Sequence, residues 1–177
     1  MKPFDRARRQ FLQTTALGSL VTVWPGLLLA GEGQKSARAT NAFKPDVEIE
    51  LIARNDTVSL MSGPSTPVYR YHGRLLQGPP STLSVMPSYL GPTLNLVQGQ
   101  KVRIHFINQL SEPCITHWHG MHMPQHMDGH PMYEIAESEK YVYEFEVKNP
   151  AGTNWYHAHT HELTAKQVYR GLAGLMV

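Results

Sequence analysis

Cysteine is almost absent from this chain: Cys114 stands alone among 177 residues. A single thiol excludes an intrachain disulfide framework. Long apolar runs are also missing. The most apolar stretch, from Thr14 to Ala30, is interrupted by Pro25 and Gly26. It falls short of the ~20 consecutive apolar residues that a membrane-spanning helix needs. Basic charge is scarce outside the start of the chain. Six of the 16 Lys/Arg and two of the 14 Asp/Glu lie in the first 39 positions, so the remainder carries a net charge near −2. The basic footprint of a nucleic-acid binder is therefore absent. Neither an internal repeat nor a low-complexity run is present.

The first 39 residues read as an export signal. Lys2, Arg6, Arg8 and Arg9 form a basic start, and the moderately apolar stretch follows it. Arg8-Arg9-Gln10-Phe11-Leu12 resembles a twin-arginine motif. Ala7 before the pair and Gln13 after Leu12 depart from its commonest form. Leu28-Leu29-Ala30 and Ala37-Arg38-Ala39 are cleavage candidates, near positions 30 and 39. The expected location is periplasmic or secreted, with no stable membrane span. Twin-arginine export carries folded proteins, which suits a protein that takes up its cofactor early.

About 138 residues remain, enough for one domain with a sizeable core. Alternation dominates them. Val47, Ile49 and Leu51 alternate with Glu48 and Glu50, and Val102, Ile104 and Phe106 alternate with Arg103 and His105. Tyr141, Tyr143, Phe145 and Val147 alternate with Val142, Glu144 and Glu146. Such a period of two marks half-buried strands, and Gly/Pro/Asn/Ser clusters between them argue for an all-β sandwich or barrel. Ser62–Leu90, with Gly78-Pro79-Pro80, reads as loops and short edge strands, which makes His72 a loop residue. His105 falls on a solvated strand face. A short helix is expected over Glu162–Gln167.

Ten histidines stand out. Four form two His-x-His pairs, His117/His119 and His157/His159, each beside a tryptophan. Residues two apart on a strand share a face, so each pair can present two imidazoles to one side. Neutral imidazoles facing a common space suit copper, zinc, iron or nickel. A lone His-x-His carries little weight; two pairs carry much more.

The surrounding residues extend the pattern: His117-Trp118-His119-Gly120, Pro124, Asp128-Gly129-His130-Pro131, Trp155-Tyr156-His157-Ala158-His159 and Gly171-Leu172-Ala173-Gly174. Upstream stand Gly91-Pro92-Thr93-Leu94 and Gly99-Gln100-Lys101-Val102. Together, over roughly residues 45–177, they resemble the first domain of multicopper oxidases, the laccase, cuprous oxidase and bilirubin oxidase relatives. The resemblance implies a cupredoxin-like (plastocyanin-like) Greek-key β-sandwich over residues 40–177, with copper as cofactor. By position, His117 resembles a type 2 copper ligand, and His119, His157 and His159 resemble ligands of the type 3 pair. Such a trinuclear cluster reduces dioxygen to water with electrons from a reductant. Asp128, eleven residues after His117, matches an acid that assists proton supply there; Asp-Gly also favours a tight turn on its own account. Trp118 and Trp155 are expected to pack beside the ligands.

The resemblance also says what to miss. The family completes the cluster with a last domain carrying a His-Cys-His motif and the type 1 copper, and that motif does not occur here. The chain closes on the apolar Leu172-Ala173-Gly174-Leu175-Met176-Val177, which reads as the end of a truncated segment. The remaining cupredoxin domains, or another chain, are then the expected partners, and the reductant pocket lies with them. Alternatives are a copper-binding module without turnover, and a type 1 blue-copper electron carrier built from Cys114, His117, Met121 and His72. The run Met121, His122, Met123, His126, Met127, His130 and Met132 is a candidate for extra copper, since thioethers suit Cu(I). The other reading is an ordinary loop. His161 is at most a supporting neighbour.

Overall fold

The computed structural model describes residues 39–177; the export signal expected over 1–39 lies almost wholly outside them. Among the described residues, nine strands form two sheets. The first contains β1 (Val47–Val58), β2 (Thr66–Gln77), β5 (Lys101–Asn108) and β7 (Lys140–Glu146), in the order β2-β1-β5-β7. The second contains β3 (Leu83–Ser84), β4 (Thr93–Leu94), β6 (Thr116–His119), β8 (Asn154–Ala158) and β9 (Ala173–Met176), in the order β3-β4-β9-β8-β6. β1 runs parallel to β5 and β4 parallel to β9, while the other neighbours are antiparallel. This is the expected all-β sandwich. No helix among the described residues is long and apolar enough to cross a membrane.

The alternating strands bury the faces their sequences indicate. Val47, Ile49, Leu51, Val102, Ile104 and Phe106 are fully buried, and so is Tyr143. The second sheet contributes Trp118 and Tyr156. Trp118 packs against Tyr143 and Tyr156 with ring centroids 5.0 and 5.6 Å away. The hydroxyls of Tyr71, Tyr143 and Tyr156 each find a partner, as burial demands. Tyr156 donates to the Pro92 carbonyl at 2.7 Å. Tyr143 donates to the Thr116 carbonyl at 2.9 Å and accepts from the Thr116 amide at 3.1 Å. Thr116 Oγ1 donates to the Tyr71 hydroxyl at 3.0 Å. The first residue of β6 is thereby tied to the core by three side-chain bonds.

Three expectations change. Ser62–Leu90 is not loops and short edge strands alone: it contains β2, twelve residues paired along almost the whole of β1. β2 lies at the sheet edge, where a proline such as Pro67 is tolerated. His72 is accordingly a strand residue, not a loop residue, with Nε2 3.0 Å from Asp56 Oδ2. The helix, α1, spans Thr164–Tyr169, two residues later than expected, because Glu162 adopts a left-handed φ of 57°. That conformation cannot be part of a right-handed helix. His105 does face outward, 2.6 Å from Glu48 Oε1.

Candidate metal centre

β6 and β8 pair so that His117 lies opposite His157 and His119 opposite Trp155. Alternation turns Thr116, Trp118 and Tyr156 into the core and places the histidines on the outer face of the second sheet. The His117 ring is 5.4 Å from His119, 5.3 Å from His157 and 5.1 Å from His159. His157 and His159 are 5.9 Å apart. Ligand atoms of His117, His119 and His157 all lie within 4.8 Å of one another, the one such group of three among the described residues. His159 is one residue beyond the end of β8 and adjoins that trio through the His117 ring.

The ring orientations are set by main-chain carbonyls. His117 Nδ1 lies 2.6 Å from the Asp128 carbonyl, and His157 Nδ1 lies 2.9 Å from the Ala158 carbonyl. A carbonyl only accepts, so each Nδ1 carries the proton and each Nε2 of the neutral ring keeps a lone pair. Outer partners of this kind fix the tautomer of metal-ligating histidines. His157 Nε2 faces His119 Nδ1 at 3.3 Å, and two ring nitrogens so close need a proton or a metal between them. His159 Nδ1 is buried without a hydrogen-bond partner. These features fit a cation bound by imidazoles.

Burial favours the neutral form of two of the rings, His157 and His159. Burial holds His157 below the usual histidine range; the Ala158 bond opposes this, and the other three rings reinforce it. Burial, then His117, lowers His159 in the same way, and the Gly129 backbone opposes it. A neutral imidazole is the form that ligates. Trp155 covers one flank, stacked on His157 at 4.1 Å and on His119 at 5.1 Å. Trp118 instead lies behind the ligands, within the core.

Asp128 serves the turn and the site together. Its amide donates to the Gln125 carbonyl at 3.1 Å, closing a short 3-10 turn. Its Oδ1 sits 3.2 Å from His117 Nδ1. That nitrogen's single proton is directed at the Asp128 carbonyl, so Oδ1 stays buried and unbonded. Burial raises the carboxyl pKa, with His117 pulling it back. Gly129 makes the approach possible: its φ is 69°, and a Cβ there would lie 1.9 Å from the Thr116 carbonyl oxygen.

The other candidates fall away from the centre. Cys114 is fully buried in the core, and burial pushes its thiol up to about 12. Its backbone bridges to Ile135. His72 belongs to the other sheet and is held by Asp56, so the blue-copper set is not assembled. Met121, Met123 and Met127 pack against the core, and Met127 Sδ accepts the Glu144 amide at 3.3 Å. His122, His126 and His130 are exposed and join no ligand trio among the described residues. Exposed His161 bonds through its amide to Glu134 Oε2 at 3.3 Å. The Asp128 and Ala158 carbonyl partners escaped the sequence reading, because any residue type can supply a carbonyl.

Comparison with known proteins identifies relatives of this chain. A family model described as multicopper oxidase matches residues 70–177. The multicopper oxidase mco of Staphylococcus aureus is 45% identical over 96 residues, covering 54% of this chain and 22% of that protein. The cell division protein FtsP of Glaesserella parasuis is 31% identical over 171 residues, covering 97% of this chain and 34% of that protein. The crystal structure of the McoA multicopper oxidase from Aquifex aeolicus superposes with a TM-score of 0.61 at 31% identity, over 76% of this chain and 27% of that one. The sandwich is thus cupredoxin-like. The chain spans about a fifth to a third of the length of these relatives.

Proposed function

Because this chain belongs to the multicopper oxidase family, we propose that it contributes half of a trinuclear copper cluster that reduces dioxygen to water. His117 is assigned to the type 2 copper, and His119, His157 and His159 to the type 3 pair. The observation that carries the assignment is the convergence of His117, His119 and His157 ligand atoms within 4.8 Å on two paired strands. Copper, when bound, supplies the one-electron redox steps that dioxygen reduction requires.

The chain's own residues do the positioning. The Asp128 and Ala158 carbonyls hold Nδ1–H of His117 and His157 and so leave the lone pair on each Nε2. Burial keeps His157 and His159 unprotonated. Trp155 stacks over His119 and His157 and limits their rotation. The Asp128 carboxyl, raised by burial, retains a proton to higher pH than an exposed carboxylate and delivers it toward water beside His117. Four histidines leave the cluster open on its outer side. Further cupredoxin domains, or another chain, close it and bring the type 1 copper and the reductant pocket. Export by the twin-arginine route to the periplasm or beyond completes the reading.

A second reading is a copper-binding or structural module without turnover. The similarity to a cell division protein over 97% of the chain favours it. Copper stoichiometry, optical and paramagnetic spectra and oxygen uptake, measured on one preparation, separate the two. We expect bound copper without intense blue absorption, lost in His117→Ala and in His157→Ala. Oxygen uptake once the partner domains are supplied supports the oxidase, and copper binding without uptake supports the module. An intense blue band abolished by Cys114→Ser, or no copper at all, would overturn the assignment.

A further inference from the structure

His159 differs from the other three histidines in how it is held. His117, His119 and His157 lie inside the β6–β8 ladder, whose last pair is Thr116 with Ala158. His159 follows that pair, and its Nδ1 has no well-formed hydrogen bond, the Gly129 backbone coming nearest to one. Its amide donates to the Ile115 carbonyl at 2.9 Å, the last tie before the chain turns away. Thr160, the next residue, is almost fully buried. What fixes Thr160 therefore fixes where the His159 ring can go.

Gln167 does so. It is fully buried on α1, and a buried polar side chain is costly unless its hydrogen bonds are made. All of its polar atoms are engaged. Its Oε1 accepts from Thr160 Oγ1 at 2.7 Å. Its Nε2 donates to the Pro113 carbonyl at 2.9 Å and to Glu112 Oε1 at 3.1 Å. Pro113 precedes β6 and Thr160 follows β8. One planar amide thus joins the segment entering the first histidine pair to the segment leaving the second. Two local supports surround it. Thr164 Oγ1 donates to the Thr160 carbonyl at 2.8 Å, and Lys166 pairs with Glu112.

We infer that Gln167 is a positioning residue for His159, clamping the exit of the second histidine pair to the entry of the first. Its role rests on the copper assignment above only for the metal readout; the geometry of His159 is testable without metal. Removing a direct hydrogen-bond partner of a metal ligand weakens binding about 10- to 100-fold; Gln167 acts one residue further out, through Thr160, which places its effect at the lower end of that range. The clamp acts through Thr160, so the two side chains function as one link.

The test uses the full chain and three variants: Gln167→Leu, Thr160→Val and the double variant. Thr160→Val keeps the side-chain shape and serves if Gln167→Leu fails to fold. In the metal-free chain, amide hydrogen exchange and imidazole NMR signals are read at each histidine. Either single variant should speed exchange of the His159 amide about tenfold and shift its ring signals, leaving His119 and His157 unchanged. The double variant should add nothing, because neighbours that form one link are non-additive. Copper(I), titrated anaerobically against a chromophoric chelator, should bind about tenfold more weakly in the variants. If His159→Ala binds copper(I) like the wild type, the copper assignment fails, and the metal-free readout still decides the clamp. An unchanged His159 amide, equal changes at all the histidines, or additive effects in the double variant would overturn the proposal.

Discussion

Gly129 and the imidazoles show how single residues set the centre. The Asp128 carbonyl reaches His117 only because the next residue lacks a side chain. A Cβ at Gly129 would sit 1.9 Å from the Thr116 carbonyl oxygen and 2.7 Å from the His117 Cα, at a φ of 69°. Backbone atoms of a paired strand cannot yield as a side chain tip can. Gly129→Ala should therefore cost at least about 2 kcal/mol, from left-handed strain together with the clash, and denaturant unfolding measures it. The imidazoles impose a pH dependence. His157 and His159 titrate below the histidine range in the folded chain, chiefly through burial, whereas unfolded histidine titrates near 6.5. Between those values the unfolded state binds more protons, so stability rises with pH. Burial shifts His72 in the same direction. The metal-free chain should be more stable at pH 7.5 than at pH 5.5, and His157→Gln should flatten that slope in parallel urea titrations. Asp128, raised by burial, opposes the trend only above 3.8 and up to its own folded pKa. A stability that is flat or falling from pH 5.5 to 7.5 would contradict the neutral-imidazole description.

At the scale of elements, the pairing of β6 with β8 turns two short motifs into one site, and Trp118 supports that pairing from behind. It is wholly buried between Tyr143, Phe145 and Tyr156. Trp118→Ala should cost about 3–5 kcal/mol, because the cavity would open beneath both histidine strands. Trp155 is 37% exposed and stacks only on the outer face, so Trp155→Ala should cost about 1 kcal/mol. Chemical denaturation of the two variants measures this contrast, and equal losses would mean that Trp118 is not the support. The same elements show what a sequence discloses. Alternation in β1, β5 and β7 was legible because their inner faces are uniformly apolar. β2 was not: Pro67, Gly73 and the following Gly78-Pro79-Pro80 look like loop signals, although an edge strand tolerates them. The histidine pairs were legible from spacing and family resemblance. Their carbonyl partners and the Gln167 clamp were not, since a carbonyl has no side-chain signature and a glutamine near a helix end looks like solvent-facing surface.

Across the whole molecule the two outer faces have different chemistry. The face of the first sheet is an ionic lattice: Arg103 pairs with Glu144 at 2.7 Å and with Glu48 at 3.5 Å, and donates to the Thr40 and Phe43 carbonyls at 2.9 Å each. Arg74 pairs with Glu50 at 3.0 Å. The face of the second sheet carries the imidazoles, with exposed Trp155 and Leu175 in register beside them. Packed sheets lie about 10 Å apart, and changes separated by more than about 7–10 Å without shared partners add to within about 0.5 kcal/mol. The two faces should therefore contribute independently. The Arg103 and Glu144 side chains are only 12% and 7% exposed, so Arg103→Met should cost about 3 kcal/mol by leaving the Glu144 charge buried with only the Thr40 hydrogen bonds and no cation. Copper present at 100 times its dissociation constant should stabilise the chain by about 2.7 kcal/mol. Unfolding of wild type and Arg103→Met, each with and without copper, closes the cycle. The copper increment should be the same in both proteins. An increment that shrinks by more than about 1 kcal/mol in Arg103→Met would mean that the core transmits strain between the sheets, and that the histidine face depends on the ionic face for its geometry.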